Sequence, residues 1–560
     1  MDQGVPADYS AGLELKQSTV TLPSNVSRSG FASALMEFAR AVGSDWVFSR
    51  AEDLALYSDA YSPFAVEPSL QLLASAAVAP ETVEQVQQVV RTANRYRIPL
   101  YTISTGRNLG YGGSAPTLSG SVIVDLKRMN RVLEVNEHDA YVMVEPGVNF
   151  IELYRHFEEH RYPFMVSAPE PGWGSPIGNA LDHGVSFVMG DNFAAARGLE
   201  VVLPNGELLR TGMGALPQAR IWHNFPYGFG PHLGGLFSQS NFGIVTKMGL
   251  SLVRKPEMQA SFSVHSMRSD DLYPLVATVQ AMREDGLLYL SSVESPIRSP
   301  MAPPGQPMPA HVQRAMSLLS RRDGGSPAEW SQLSLDSGVA VSVVTGNVRG
   351  PARIVEATLE YAREQFARIP GVTFQLDTVY RFPLQVDDIP PDQRPQVGVP
   401  SLWPFSNLVL GDTRRGMYFF SPVCRASAED LFALHQTIRE VVLDHAEESM
   451  RPPFLSWLLT NTVYAKAYVL AYPFPITDSA ETNRKYRELF SRLVDTCGAK
   501  GWGEYRAHAA FQTDVMKQFS YNDHILRRVC ESVKDALDPN GILAPGKSGI
   551  WPKNMRKTRS

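Results

Sequence analysis

The chain has 560 residues, of which 44% are hydrophobic and 19% charged. That length is a prior for two to four domains, and the composition excludes a mainly disordered protein. Lys plus Arg is 52 and Asp plus Glu is 57, a formal net charge of −5, which excludes a general nucleic-acid binder.

In chain order, Met1 to Ser10 carries Asp2 and Asp8 and no apolar core, so no secretory signal is expected. No run approaches the roughly 18 apolar residues of a membrane span. The expectation is a soluble cytoplasmic protein without a membrane partner. Residues 81–96 are predicted helical: Val83, Val86, Val89, Val90 and Ala93 share one face, and Thr82 with Gln85 forms a capping box. Pro99 to Ile103 is a short buried strand running into a loop with Gly106, Gly110, Gly112 and Gly113. Ser121 to Asp125, Arg131 to Val135 and Tyr141 to Glu145 come next as strands, then Phe150 to His160 as a helix. Leu199 to Leu203 and Glu207 to Thr211 flank Asn205-Gly206, a hairpin signal.

Composition shifts after Pro256. Residues 297–330 are proline-dense and are predicted to be a long surface loop; Pro390 to Pro404 is a second such stretch. Helices are predicted at 354–368, 428–445 and 480–496, and strands at 339–345 and 415–421. A last helix at 523–537 places Ile525, Leu526, Val529, Val533 and Leu537 on one face. The fold class is α+β. Cys424, Cys497 and Cys530 are too few and too scattered for a disulfide scaffold or zinc module, and no metal is expected.

Gly541 to Ser548 formally matches GxxxxGK[ST], but a turn precedes it and Pro552 interrupts the short stretch after it. The strand-loop-helix context that holds phosphates is missing, so a nucleotide triphosphatase is set aside. No GxGxxG comes after a first strand either. Instead, three glycine-dense polar segments lie between strands: Ser104 to Gly113, Glu170 to Ala180, and Tyr227 to Lys247. Glycines let backbone amides approach an anion, and Ser104, Thr105 and Asn108 add donors, with Arg107 a charge. Such a set suits a protein wrapped around a large phosphorylated cofactor; ordinary turns would read the same on composition alone.

The stretches Ser104 to Pro116, Ser121 to Gly147, Gly174 to Gly184, Gly198 to Pro217, Phe225 to Lys247, Gly501 to Phe511 and Leu537 to Pro552, and more loosely Phe419-Phe-Ser-Pro422, resemble the vanillyl-alcohol oxidase and 4-cresol methylhydroxylase family of flavoproteins. The resemblance implies an FAD-binding domain from 1–258 plus 500–560, and a cap domain at 259–499 over the flavin. It implies FAD held by Ser104, Gly106, Arg107, Asn108, Leu109, Gly110, Ser175, Asn179, Gly243, Ile244, Val245 and Lys547. It further implies oxidation of a para-substituted phenol through a quinone methide. Tyr111, Tyr505 and Arg506 match the family's phenolate-binding positions, and Glu170 its acidic residue near the reactive centre. A phenol titrates near ~10, and lowering that by ~2 to 3 units needs ~3 to 4 kcal/mol of preference for the anion. In a regular strand Tyr505 and Arg506 would face opposite sides, so both reach one ligand only at a strand end or bulge.

The sequence also departs from the family. Met417 stands where relatives tether FAD through histidine, and Leu408 falls in the region of the alternative tyrosine tether, with Tyr418 and Tyr380 nearby. The expectation is therefore non-covalent FAD. Phe187 replaces a tyrosine and Ala465-Lys466 a histidine pair on the side that reads the para substituent, pointing to a different or bulkier substrate; Lys466 would put a cation near the substrate's side chain unless it snorkels outward. The acceptor is oxygen or a redox protein, and a homo-oligomer is expected. The alternatives are a flavin-dependent dehydrogenase of a small alcohol or hydroxy acid, and a non-catalytic FAD-binding protein.

Overall fold

Short apolar runs separated by glycine turns build the first half of the chain into two sheets. The computed structural model describes residues 21–556 apart from 25, 170, 300–307, 403–415, 457–459 and 465. In the first sheet, Ala76–Val78, Val122–Asp125 and Leu100–Ile103 run parallel, with Val47–Phe48 antiparallel at one edge. The crossover helix Val83–Tyr96 starts where Thr82 Oγ1 accepts the Gln85 N–H and stops at Arg97, a left-handed residue. Its Val86, Val89, Val90 and Ala93 are fully buried against this sheet. Each such valine contributes about 1.5–3 kcal/mol.

The second sheet is antiparallel, in the order Leu208–Arg210, Ala196–Val202, Ile244–Ser251, Tyr141–Val144, Val132–Asn136. The Asn205-Gly206 turn joins its first two strands, with Val202 opposite Leu208. Helix Phe150–Glu159 carries a full capping box, Asn149 with Glu152, and buries Phe150, Leu153 and Phe157.

A third, seven-stranded sheet has the order Thr373–Arg381, Met258–Ser266, Ser342–Gly350, Leu290–Glu294, Thr460–Tyr464, Ala467–Val469, Val423–Arg425. Helices Leu272–Glu284, Ala352–Phe366, Ala428–His445 and Ala480–Ala499 share its core. The C-terminal segment then crosses back. Leu543 bridges Leu100 of the first sheet, with Leu100 N–H to Ile542 O and Ala544 N–H to Leu100 O both 2.7 Å. Two mixed α+β layers joined in this way make a two-domain fold.

Two expectations are corrected. The stretch 297–330 is not a long loop: helices Ala310–Ser320 and Pro327–Ser337 lie in and beyond it. Its signals were local. Ser326 and Glu329 form a capping box with Pro327 at the first turn, and Trp330 is buried with its indole N–H on Gly324 O. The apolar stripe of the helix Tyr521–Leu537 is only partly buried: Val533 and Leu537 pack on the core, but Leu526 and Val529 are exposed while Lys534 is wholly buried. The Lys534 ammonium donates to Asn241 O and Leu543 O and pairs with Asp538 at 2.7 Å, so each of its three protons is satisfied.

Candidate active site

A cavity of about 700 Å³ lies where the three sheets meet. Its first wall is the loop after Leu100–Ile103. Gly106 is left-handed, and a Cβ there would lie 2.2 Å from Ser114 Oγ. The loop closes on itself through Tyr111 and Gly113 N–H, both donating to Asn108 O. Ser104, Thr105, Gly106, Arg107, Asn108, Leu109 and Tyr111 line the cavity. Gly110 does not. It too is left-handed, and a Cβ there would sit 2.7 Å from the Phe419 ring, so it serves as the point where the loop packs on the strand Met417–Phe420.

Ser175 and Asn179 line the next stretch, on the short helix Pro176–Leu181. Ser175 Oγ is already committed, accepting from Gly178 N–H and donating to Pro146 O at 2.7 Å. Asn179 Oδ1 accepts from Asn192 at 2.6 Å. Gly243, Ile244 and Val245, entering the strand Ile244–Ser251, complete this side. Lys547 reaches the same cavity from the C-terminal segment.

The structure draws Tyr111, Tyr505 and Arg506 together on this wall. Tyr505 and Arg506 come directly after an isolated bridge between Glu504 and Pro422, not a regular strand, so the two neighbours reach the same cavity. The Arg506 guanidinium lies 4.2 Å over the Tyr111 ring and 5.8 Å from the Tyr505 ring centre. Its Nη1 donates to Tyr505 Oη at 3.4 Å, and its Nη2 pairs with Asp182 at 2.9 Å and donates to Asn108 Oδ1. Asn108 in turn donates to Asp182 at 3.2 Å.

Burial alone would lower the Arg506 pKa, but Asp182, Tyr505 and Tyr111 hold it above its usual range. Burial likewise opposes the Asp182 anion, yet Arg506, Lys547 and Asn108 keep its carboxyl low. Lys547 is held up against burial by Tyr101 and Asp182. The cluster therefore carries one positive charge in excess and favours an anionic ligand. Burial, with Tyr505 adding to it, pushes the Tyr111 hydroxyl well above 10, so it is a donor at neutral pH.

Another stretch of the lining is apolar: Val185, Phe187, Leu290, Met417, Phe419, Ala471 and Pro473. Met417 and Phe419 face the cavity because they alternate with Tyr418 and Phe420, which point into the core of the seven-stranded sheet and its helices. Tyr418 packs against Phe474, Phe490 and Phe511, and Tyr380 donates to Gln393. Neither lines the cavity. Lys466 is a correction: it is exposed at the turn between Thr460–Tyr464 and Ala467–Val469 and is not on the wall. Its ammonium stays in water, the cheaper place for a charge. Glu170 and Leu408 lie outside the described residues; Pro169 and Pro171, on either side of Glu170, line the cavity.

The wall fits an extended cofactor with a charged middle. The volume lies in the range of roughly 300–1,000 Å³ usual for such sites. Glycines at 106, 178 and 243 stand where a Cβ would strike Ser104, Ser114 or Val201 within 2.5 Å. Two buried atoms of cavity-lining residues, Asn241 Oδ1 and Arg506 Nε, have no partner among the described residues. Several contributors carried no local signal in the sequence: Asp182, Asn241, Tyr61, Tyr101, and Gln239, which donates to Tyr505 O at 2.8 Å. Each is an ordinary residue given its place by tertiary structure. Among the described residues no group of His, Cys, Asp and Glu could hold a metal, and no helix is long and apolar enough to cross a membrane.

Residues 74–212 match the FAD binding domain model. The chain is 32% identical over 546 residues to the 4-cresol dehydrogenase [hydroxylating] flavoprotein subunit of Pseudomonas putida, covering 96% of this chain and 98% of that one. The structure superposes on 4-ethylphenol oxidase from Gulosibacter chungangensis, solved with isoeugenol, with a TM-score of 0.80 at 32% identity over 96% of this chain and 100% of that one. It superposes on p-cresol methylhydroxylase with substrate bound at a TM-score of 0.79 and 29% identity, over 95% and 99%. With the FAD-binding fold, the glycine-built cavity and this full-length likeness together, the chain belongs to the vanillyl-alcohol oxidase and 4-cresol methylhydroxylase family of FAD-dependent oxidoreductases.

Proposed function

We propose that this protein oxidises a para-substituted phenol with an apolar side chain, a 4-alkyl- or 4-propenylphenol. The observation that carries the reading is the meeting of Arg506 with Tyr111 and Tyr505 on one cavity wall. Relatives named for 4-cresol and 4-ethylphenol support it. The division into an FAD domain, 1–258 with 500–560, and a cap, 259–499, belongs to the same proposal.

Ser104 to Leu109, Ser175, Asn179, Gly243 to Val245 and Lys547 would hold FAD. FAD, when bound, supplies the hydride acceptor that turns a phenolate into a quinone methide. Arg506 and the excess positive charge around it draw the phenol toward its anion. Tyr111 and Tyr505 donate to the same oxygen and fix the ring. Phe187, Leu290, Met417, Ala471 and Pro473 offer the side chain dispersion contact and no hydrogen bond. Glu170 is the residue proposed to activate water against the quinone methide. Electrons leave to oxygen or to a redox protein.

FAD is proposed to be held without a covalent bond. Met417 brings a thioether to the tether position, the described wall has no histidine or cysteine, and Tyr418 and Tyr380 face elsewhere. The test is anaerobic mixing with 4-ethylphenol and, separately, with its O-methyl ether. Bleaching of the flavin by the phenol but not by the ether is the expected result; equal bleaching, or none, overturns the phenol reading. Acid precipitation should release all flavin to the supernatant, and colour in the pellet would refute the missing tether.

A further inference from the structure

Ser421 closes the strand Met417–Phe420 at the point where the cap meets the C-terminal segment, and it is fully buried. Its hydroxyl lies 3.0 Å from the Tyr111 hydroxyl, its only side-chain hydrogen-bond partner among the described residues. Its backbone is clamped on both sides. The N–H donates to both carboxyl oxygens of Glu504, at 2.9 and 2.8 Å, and the carbonyl accepts from Tyr505 N–H at 3.1 Å. Two residues further on, Val423 N–H donates to Gly503 O at 2.9 Å. The stretch 503–505 thus runs alongside 421–423 and leads directly into Arg506.

We propose that Ser421 is a positioning residue for the phenol site: its hydroxyl donates to Tyr111 and so turns the Tyr111 proton toward the substrate oxygen, while Glu504 fixes Ser421 in place through its N–H. The inference rests on the phenol reading above. Its logic is a count of protons. Tyr111 has one O–H, and to donate it to a phenolate its oxygen must be free to accept elsewhere. Ser421 is placed to be that donor. Two O–H groups in series polarise each other, so the terminal bond to the phenolate is stronger than Tyr111 alone would make it. The clamp fixes the backbone from which the serine hydroxyl reaches Tyr111. Burial pushes the Glu504 carboxyl well above its usual range, which keeps a second negative charge from opposing the phenolate.

The experiment uses holoenzyme and 4-hydroxybenzaldehyde as the probe, whose phenolate band reports its ionisation in the site as pH is varied. Wild type should hold the probe as the anion well below its solution pKa. Ser421→Ala should raise the bound probe's apparent pKa by about half to one pH unit, the size of one lost hydrogen bond. Ser421→Cys, nearly the same size but a poor donor, should do the same, and it decides the matter alone if the alanine variant does not fold. Ser421→Thr, which keeps the hydroxyl, should restore the wild-type value. Wild-type ionisation in Ser421→Cys, or a shift in Ser421→Thr as large as in Ser421→Cys, overturns the role of Ser421 and leaves the phenol reading standing. A wild-type protein that leaves the probe's pKa unchanged overturns both.

Discussion

The wall made by Ser104 to Leu109 and Arg506 and the wall made by Phe187, Leu290 and Met417 enclose one cavity but arise differently. The first is held by short-range devices: left-handed glycines, a loop closing on Asn108 O, a serine capping a helix, and one ion-paired arginine. The second combines a turn carrying Phe187, the end of a central strand of the seven-stranded sheet at Leu290, and a two-stranded ribbon, where the register of pairing decides which side chain faces in. A polar wall of this kind tolerates little change at a few positions. An apolar wall should spread its tolerance over many.

Arg506→Ala should break the polar wall most severely. It removes the positive end of the cluster and leaves Asp182 buried near two tyrosines. Flavin reduction by a phenol, followed anaerobically by stopped flow, should slow by about 10²–10³-fold or more, and truncating one partner of a buried pair costs about 3–5 kcal/mol. Tyr505→Phe should cost nearer tenfold, one hydrogen bond. A normal rate in either variant would show that the phenol binds elsewhere.

Gly110→Ala asks whether the two walls are locked together. The new methyl would meet Phe419 at 2.7 Å in a left-handed conformation, so a loss of roughly 2–4 kcal/mol is expected, with faster release of FAD. Gly501 is also left-handed but has open space around it, and Gly501→Ala should cost only about 1 kcal/mol. Equal melting temperatures for the two variants would contradict the packing argument.

Beneath the apolar wall, His435 is buried against Tyr472, at 3.0 Å. Burial first, then Arg298 and Arg439, lowers its pKa to about 3. An unfolded histidine titrates near ~6.5, so the unfolded chain gains a proton that the folded protein refuses. Its contribution to stability is complete above pH ~6.5 and is lost as pH falls toward 3, at a slope of at most ~1.4 kcal/mol per pH unit. The melting temperature of His435→Gln should therefore fall less on acidification than that of wild type. Parallel curves would mean that His435 takes up its proton as readily in the folded state as in the unfolded one.

Legibility in the sequence divides along the same line. Helix Val83–Tyr96, the Asn205-Gly206 hairpin and the glycine loop are local, and their signals sit within a few residues of the structure they cause. Tyr111, Tyr505 and Arg506 were legible through family resemblance, but their meeting depends on the bridge of Glu504 with Pro422, which no spacing encodes. Asp182 gave no sign, and Ser421 showed only as part of the Phe419-Phe-Ser-Pro422 motif with no role attached, because each gains its role from a residue far along the chain. The last helix misleads for a related reason. Its apolar stripe suggests one buried face, but only the Val533 and Leu537 end of it packs on the core, and three oxygens placed by tertiary structure accept the Lys534 ammonium and turn that residue inward as well.

The smallest expected effect sharpens the contrast best. The sequence suggests Lys466 as a cation beside the substrate's side chain, and the structure puts it in solvent at a turn, where its carbonyl accepts from Ala426 N–H at 3.0 Å. That bond is backbone to backbone and survives loss of the side chain. Lys466→Ala should therefore leave kcat/KM for 4-alkylphenols within about twofold, the usual reach of a surface change. It should also leave the preference between a neutral para substituent and a carboxylate-bearing one unmoved. If the substitution instead selectively removed activity on the carboxylate-bearing phenol, the ammonium would have to enter the cavity during turnover. The apolar wall would then carry a charge in the working enzyme, and its substrates would include anions at the para position.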